Sequence, residues 1–230
     1  MLGATERSVL ADRLAVVEAR IAAACVRAGR PRDSVTLVAV TKYTSLDVAA
    51  TLLDLGVLDL GESRPQALWE RAVALPAARW HLIGHLQRNK VERTLPLTQL
   101  IHSVDSRRLL DAIEAEGRPC SVLLEFNISG EAQKHGFVSD DVPALVGAIH
   151  ELKNVRVRGL MGMAAIAEDP EASRPAFAAL RHLRDRLHTG LDDAQSLVHL
   201  SMGMSQDFEV AIEEGATLVR VGSTLVEGLV

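Results

Sequence analysis

Short apolar runs alternate with amphipathic stretches along most of the chain. The opening segment, residues 5–28, places Val9, Leu10, Leu14, Val17, Ile21 and Ala24 at helical spacing, and Gly29 and Pro31 then stop it. Eight apolar runs follow, beginning near Val35, Val57, Arg79, Gln99, Ser121, Val155, Ser196 and Thr217. The first five start about 20 to 22 residues apart, room for one strand, one helix of about ten residues and two short loops. Runs such as "VTLVAV" and "SVLLEFNIS" are apolar nearly throughout, as parallel strands covered on both faces should be. Helix-like stretches at 45–55, 64–75, 106–116, 141–152 and 170–188 fill the intervals.

Eight strand–helix units predict an α/β fold, a single closed (β/α)8 barrel of TIM type over residues 1–230, with residues 1–30 as an extra N-terminal helix packed outside it. An open doubly wound sheet is the competing architecture. It usually has fewer strands and often a glycine fingerprint, and no G-x-G-x-x-G or Walker sequence follows any run here. No linker rich in Pro, Gly or Ser divides the chain.

Composition narrows the function class. With 48% hydrophobic and 24% charged residues the chain is globular. A formal charge of −5 with 3% aromatics disfavours a nucleic-acid groove. No apolar run approaches the roughly 20 residues of a membrane helix, and Met1 to Arg13 lack the apolar core of a secretory signal. Cys25 and Cys120 make neither a disulfide framework nor a zinc-type spacing, so a reduced, cytoplasmic protein is expected. Only four of the 25 basic residues are lysines (Lys42, Lys90, Lys134 and Lys153), which raises the question of what each supplies that arginine cannot.

In such barrels, ligands bind where the strands end. The first run ends in Thr41-Lys42, and Lys42 shares strand parity with Thr36, Val38 and Val40. If that set faces inward, Lys42 points into the mouth, where an amine can form a Schiff base with an aldehyde; a lysine that merely snorkels to water fits the same position. The last two runs end in "LSMGMSQDFEVAIEEG" and "VRVGST". Their small residues and hydroxyls suit a phosphate, with Ser205 as N-cap of a helix starting near Gln206, although ordinary strand–helix turns favour the same residues. Arg220 lies opposite in parity to Val219 and Val221, so it faces either the interior mouth or the helices outside. His81, His85, His102 and His199 lie near strand ends, but the glycine turn between His81 and His85 argues against a helical metal pair. A lysine and a phosphate site at one mouth suit either pyridoxal 5′-phosphate (PLP) or an aldolase acting on a sugar phosphate.

The motifs "LVAVTK", "GES", "WHLIGHLQRNK", "IHSVDS", "NISGEAQKHGF", "RGLMGM", "LSMGMSQDFEVAI" and "VRVG", in that order from Val35 to Gly222, resemble the pyridoxal phosphate homeostasis protein family. The resemblance implies a barrel like the N-terminal domain of alanine racemase. It implies PLP held as a Schiff base on Lys42, phosphate at Ser201, the Met204–Ser205 turn, Gly222 and Ser223, and Arg220 near the pyridine nitrogen. There a cation disfavours ring protonation and weakens the electron sink. Three departures stand out: Ser63, whose hydroxyl is the candidate ring contact where the family usually has Asn, Tyr43-Thr44-Ser45 where it has a second lysine and a proline, and "STLVEGLV" where it more often has Phe-Gly.

The resemblance implies a protein that holds PLP and buffers or transfers it, with PLP-dependent apoenzymes as candidate partners and little or no catalysis. A single-domain amino-acid racemase is the enzyme alternative, but it needs an acid–base group opposite Lys42. Tyr43, adjacent in sequence, should point away from the far face of the ring and pack beneath a helix. A sugar-phosphate aldolase or isomerase is the third reading. Lys90 and Lys134 lie within the matching motifs and are candidates for handling PLP in transit or for plain surface cations. A monomer is expected, because the chain lacks a counterpart of the second domain that builds the alanine racemase dimer.

Overall fold

The computed structural model describes residues 2–129, 135–191 and 196–229. Its strands are β1 (Thr36–Val40), β2 (Asp59–Glu62), β3 (Arg79–Leu82), β4 (Leu100–Val104), β5 (Cys120–Phe126), β6 (Val155–Gly162), β7 (His199–Ser201) and β8 (Leu218–Val221). Each pairs in parallel with the next, and β8 pairs with β1, so the sheet closes into a barrel in chain order. All eight strands fall on the predicted runs. The helices are α1 (Ala4–Arg27), α2 (Leu46–Asp54), α3 (Pro65–Ala74), α4 (Val91–Thr94), α5 (Arg107–Ala115), α6 (Val142–His150), α7 (Arg174–Thr189), α8 (Phe208–Glu213) and α9 (Ser223–Val226). None among the described residues is long and apolar enough to cross a membrane.

Local rules place the helix ends. Pro65 takes the first turn of α3, where its missing N–H costs nothing, and Ser106 caps α5 by accepting from Leu109 N–H. α1 buries Leu10, Leu14, Val17, Ile21, Ala24 and Cys25 and stops at Gly29, whose φ is +63°. It lies against α8 and α9, where Arg13 donates to the Glu227 carbonyl at 2.6 Å and Arg27 pairs with Glu213 at 2.6 Å.

The crossover from β3 to β4 differs from the expected ten-residue helix. It is the single turn α4 between two 3-10 turns, because Pro96 has no N–H with which to continue it. α8 and α9 are likewise short, six and four residues.

Two cores result. A large one lies between the sheet and the helices, and a small one fills the barrel interior with Val38, Leu100, Leu123, Met161 and Leu218. Val38 in the small core fixes the parity of β1, and Leu218 fixes that of β8. Lys42 therefore continues an inward row, and Arg220 points inward rather than toward the outer helices.

Candidate functional site

A cavity of about 420 Å³ opens at the C-terminal ends of the strands. This is within the ordinary range for a small-molecule site. Of the eight nominated residues, Lys42, Ser63, Met204, Ser205, Arg220, Gly222 and Ser223 line it. Val40, Ile83, Met163 and Ile166 add an apolar wall suited to a ring.

Lys42 sits in the turn after β1, exposed at the cavity wall. Four contacts hold that turn. The Thr44 hydroxyl donates to the Thr41 carbonyl at 2.8 Å, Thr41 Oγ1 donates to Glu62 Oε1 at 3.0 Å, and Arg71 from α3 reaches both Glu62 and the Thr44 carbonyl. Glu62 is buried, which pushes its carboxyl up from the ordinary range, while Arg71 and Thr41 pull it back. Tyr43 does not pack beneath a helix. It is 75% exposed, with Lys42 Nζ 5.8 Å and Arg64 5.4 Å from its ring centre. Its φ of +70° is strained for a side chain with a Cβ, and strain of this kind concentrates at functional loops.

Across the mouth, the turn after β7 depends on Gly203. Its φ is +89°, and a Cβ there would lie 2.5 Å from Ala211 Cβ. The N-cap of α8 is Asp207, not Ser205, and the helix starts two residues later than expected. Asp207 Oδ1 accepts from Met204 N–H at 2.7 Å and Oδ2 accepts from the Ser173 hydroxyl at 3.1 Å, which locks the Met204–Ser205 turn. Ser205 is used differently: its oxygen accepts from Gly222 N–H at 3.2 Å and from Thr224 N–H at 3.5 Å. These two amides converge on one oxygen at the rim. A phosphate oxygen could accept from the same donors, and the Ser205 and Ser223 hydroxyls add further polar groups. With a primary amine opposite, the donor set fits a phosphorylated aldehyde.

Arg220 forms the floor. Only 4% exposed, it donates from Nη1 to the Ser201 carbonyl at 2.8 Å and to Ser201 Oγ at 2.6 Å, and from Nη2 to the Gly162 carbonyl at 3.2 Å. Burial lowers its guanidinium to about 10, opposed by Glu125 and Asp207, so it stays cationic at neutral pH. Ser201 is the one nominated residue that does not line the cavity. It is fully buried below Arg220, off the cavity wall, with His102 Nδ1 2.8 Å from its hydroxyl.

Sequence reasoning missed Asp207, although an acidic residue directly before the apolar Phe208 run is a helix-start signal. It also missed the Glu62–Arg71 brace, which has no local signature. The histidines are divided: His81 faces the barrel interior, while His85 pairs at the rim with Asp105 at 2.9 Å. Lys90 lies in the turn before α4, away from the cavity wall, and Lys134 lies outside the described residues.

A lysine after β1 and a small-residue turn after each of β7 and β8, on one closed barrel, define the class. The profile of the alanine racemase N-terminal domain family matches residues 14–229. The pyridoxal phosphate homeostasis protein of Aquifex aeolicus is 41% identical over 220 residues, covering 93% of this chain and 96% of that protein. Its Homo sapiens counterpart is 34% identical, covering 92% and 84%. PipY of Synechococcus elongatus, solved with PLP bound, superposes with a TM-score of 0.80 at 30% identity, covering 94% of this chain and 99% of that one. Alanine racemase of Corynebacterium glutamicum shares the fold alone, at a TM-score of 0.73 and 14% identity over 95% of this chain and 60% of that one. The chain belongs to the pyridoxal phosphate homeostasis protein family.

Proposed function

We propose that this chain binds PLP in the mouth cavity and serves intracellular PLP homeostasis. The observation that carries the reading is the convergence of Lys42, the Ser205–Gly222–Ser223 rim and Arg220 on one cavity. Lys42 holds the aldehyde end, the rim amides and hydroxyls hold the phosphate, Arg220 faces the ring nitrogen, and the apolar wall covers the ring. When bound, PLP supplies an aldehyde that condenses reversibly with a primary amine, so the same bond that masks it also releases it.

The site supports holding more than turnover. Among the described residues lining the cavity there is no histidine, cysteine or tyrosine to stand opposite Lys42. The one carboxylate there, Asp207, has both oxygens engaged by Met204 and Ser173. A cation at the floor also disfavours a protonated ring. The exposed Lys42 turn gives PLP an open route out, which suits delivery to PLP-dependent apoenzymes by a cytoplasmic monomer.

Titration of the purified chain with PLP, followed by absorption, tests the reading. A saturable visible band at one equivalent is expected. A chain that stays colourless yet binds a sugar phosphate would replace this reading with the aldolase or isomerase one.

A further inference from the structure

Beneath Arg220, a line of buried polar groups crosses the barrel interior to its opposite end. Ser201 Oγ lies 2.8 Å from His102 Nδ1, His102 Nε2 lies 2.9 Å from His81 Nδ1, and His81 Nε2 lies 2.9 Å from Asp59 Oδ1. Arg79 closes the far end on Asp59 Oδ2. Five strands contribute: β2, β3, β4, β7 and β8. Ser201, His102 and His81 are buried, as is Asp59 at the edge of the basal opening.

With both imidazoles neutral, the line has a single self-consistent direction. Ionised Asp59 can only accept, so His81 carries its proton on Nε2. His81 Nδ1 is then an acceptor and must receive from His102 Nε2–H. His102 Nδ1 in turn accepts the Ser201 O–H, which leaves the Ser201 oxygen lone pairs for Arg220 Nη1–H. His81, His102 and Ser201 each donate once and accept once along the line, between an anion at one end and a cation at the other. Burial holds His102 well below the usual imidazole range, consistent with a neutral ring.

We propose that Ser201, His102, His81 and Asp59 are positioning residues for Arg220, a one-way hydrogen-bond line that fixes which guanidinium N–H groups are spent inward and which face the cavity. The ring-side part of this inference rests on the PLP reading. The bonds described use three of the five guanidinium N–H groups, so a fixed orientation leaves a defined pair for the ligand. Loss of the line allows the side chain to rotate, and the donor offered to the ring nitrogen then varies.

The test begins with nitrogen NMR of the full-length chain, without PLP, at neutral pH. Both histidines should be neutral with the proton on Nε2, and Arg220 should give a sharp, slowly exchanging side-chain signal. In Asp59→Asn the His102 and Arg220 signals should move although Asp59 touches neither; in Ser201→Ala the Arg220 signal should broaden, and Ser201→Thr should restore it. Either histidine protonated on Nδ1 or cationic in the parent chain, or His102 and Arg220 signals unmoved in Asp59→Asn, overturns the proposal. PLP titration then separates the two claims. Ser201→Ala should still take up PLP but bind it about five-fold more weakly, with altered absorption-band proportions. Unaltered affinity and band proportions overturn the positioning role. A parent chain that takes up no PLP defeats the functional reading alone, since the NMR signals decide the line without it.

Discussion

The mouth cavity and the polar line beneath it share Arg220 and otherwise follow opposite rules. At the mouth, groups keep capacity for a ligand: Lys42 is exposed, and the Gly222 and Thr224 amides meet a serine hydroxyl that a ligand oxygen can replace. Below, Ser201, His102, His81 and Asp59 are buried, and each is matched to its neighbours. A binding group must hold something in reserve, whereas a buried polar group with reserve is a liability. The two regions should therefore respond differently to substitution: damage below should cost stability, and damage at the mouth should cost binding.

The largest effect is expected from His102→Ala. It opens a void in the barrel and leaves Ser201 and His81 each short of a partner, at a cost of about 4 kcal/mol of folding stability. Urea unfolding of the parent chain and the variant measures it. A loss no greater than that of a rim variant such as Ser223→Ala would erase the distinction between the two regions.

A middle-sized effect separates the regions by pH. Glu125, near the mouth, has its carboxyl pushed up to about 7 by burial and by Asp105, with Arg220 and His85 opposing. Its folded value exceeds its unfolded value, so its contribution is fully present below about pH 4.3 and is lost as pH rises through 7. Glu125→Gln should therefore match the parent chain in acid and exceed its stability by about 2 kcal/mol at pH 8. Thermal unfolding at the two pH values checks the sign.

The smallest effect lies in the Lys42 turn. Tyr43→Gly relieves the +70° backbone strain and should raise folding stability by about 1 kcal/mol. The same change should speed PLP release, because the turn loses its fixed shape. Stopped-flow transfer of PLP to an acceptor amine reads the second part.

The same contrast explains what could be read from the chain. The rim residues stand at strand ends, so the eight apolar runs located the Lys42 turn and the two small-residue turns, whereas parity alone left Arg220 facing either the interior or the outer helices. The line could not be located in that way. His81 and His102 are 21 residues apart, and His102 and Ser201 are 99 apart. Only closure of the sheet brings them together. Each appears in sequence as one polar residue in an apolar run, a pattern that gains meaning once inward parity is known. The misplaced N-cap has a similar cause: Ser205 has the right chemistry for a cap, but Gly222 and Thr224, from the next strand's turn, claim its oxygen.

Reductive trapping tests the central claim most directly. The chain is loaded with PLP, reduced with borohydride, digested, and the modified peptide identified by mass spectrometry. One phosphopyridoxyl group on Lys42 is predicted, and none in Lys42→Ala. Modification spread over Lys90, Lys134 and Lys153, or undiminished in Lys42→Ala, would contradict the account.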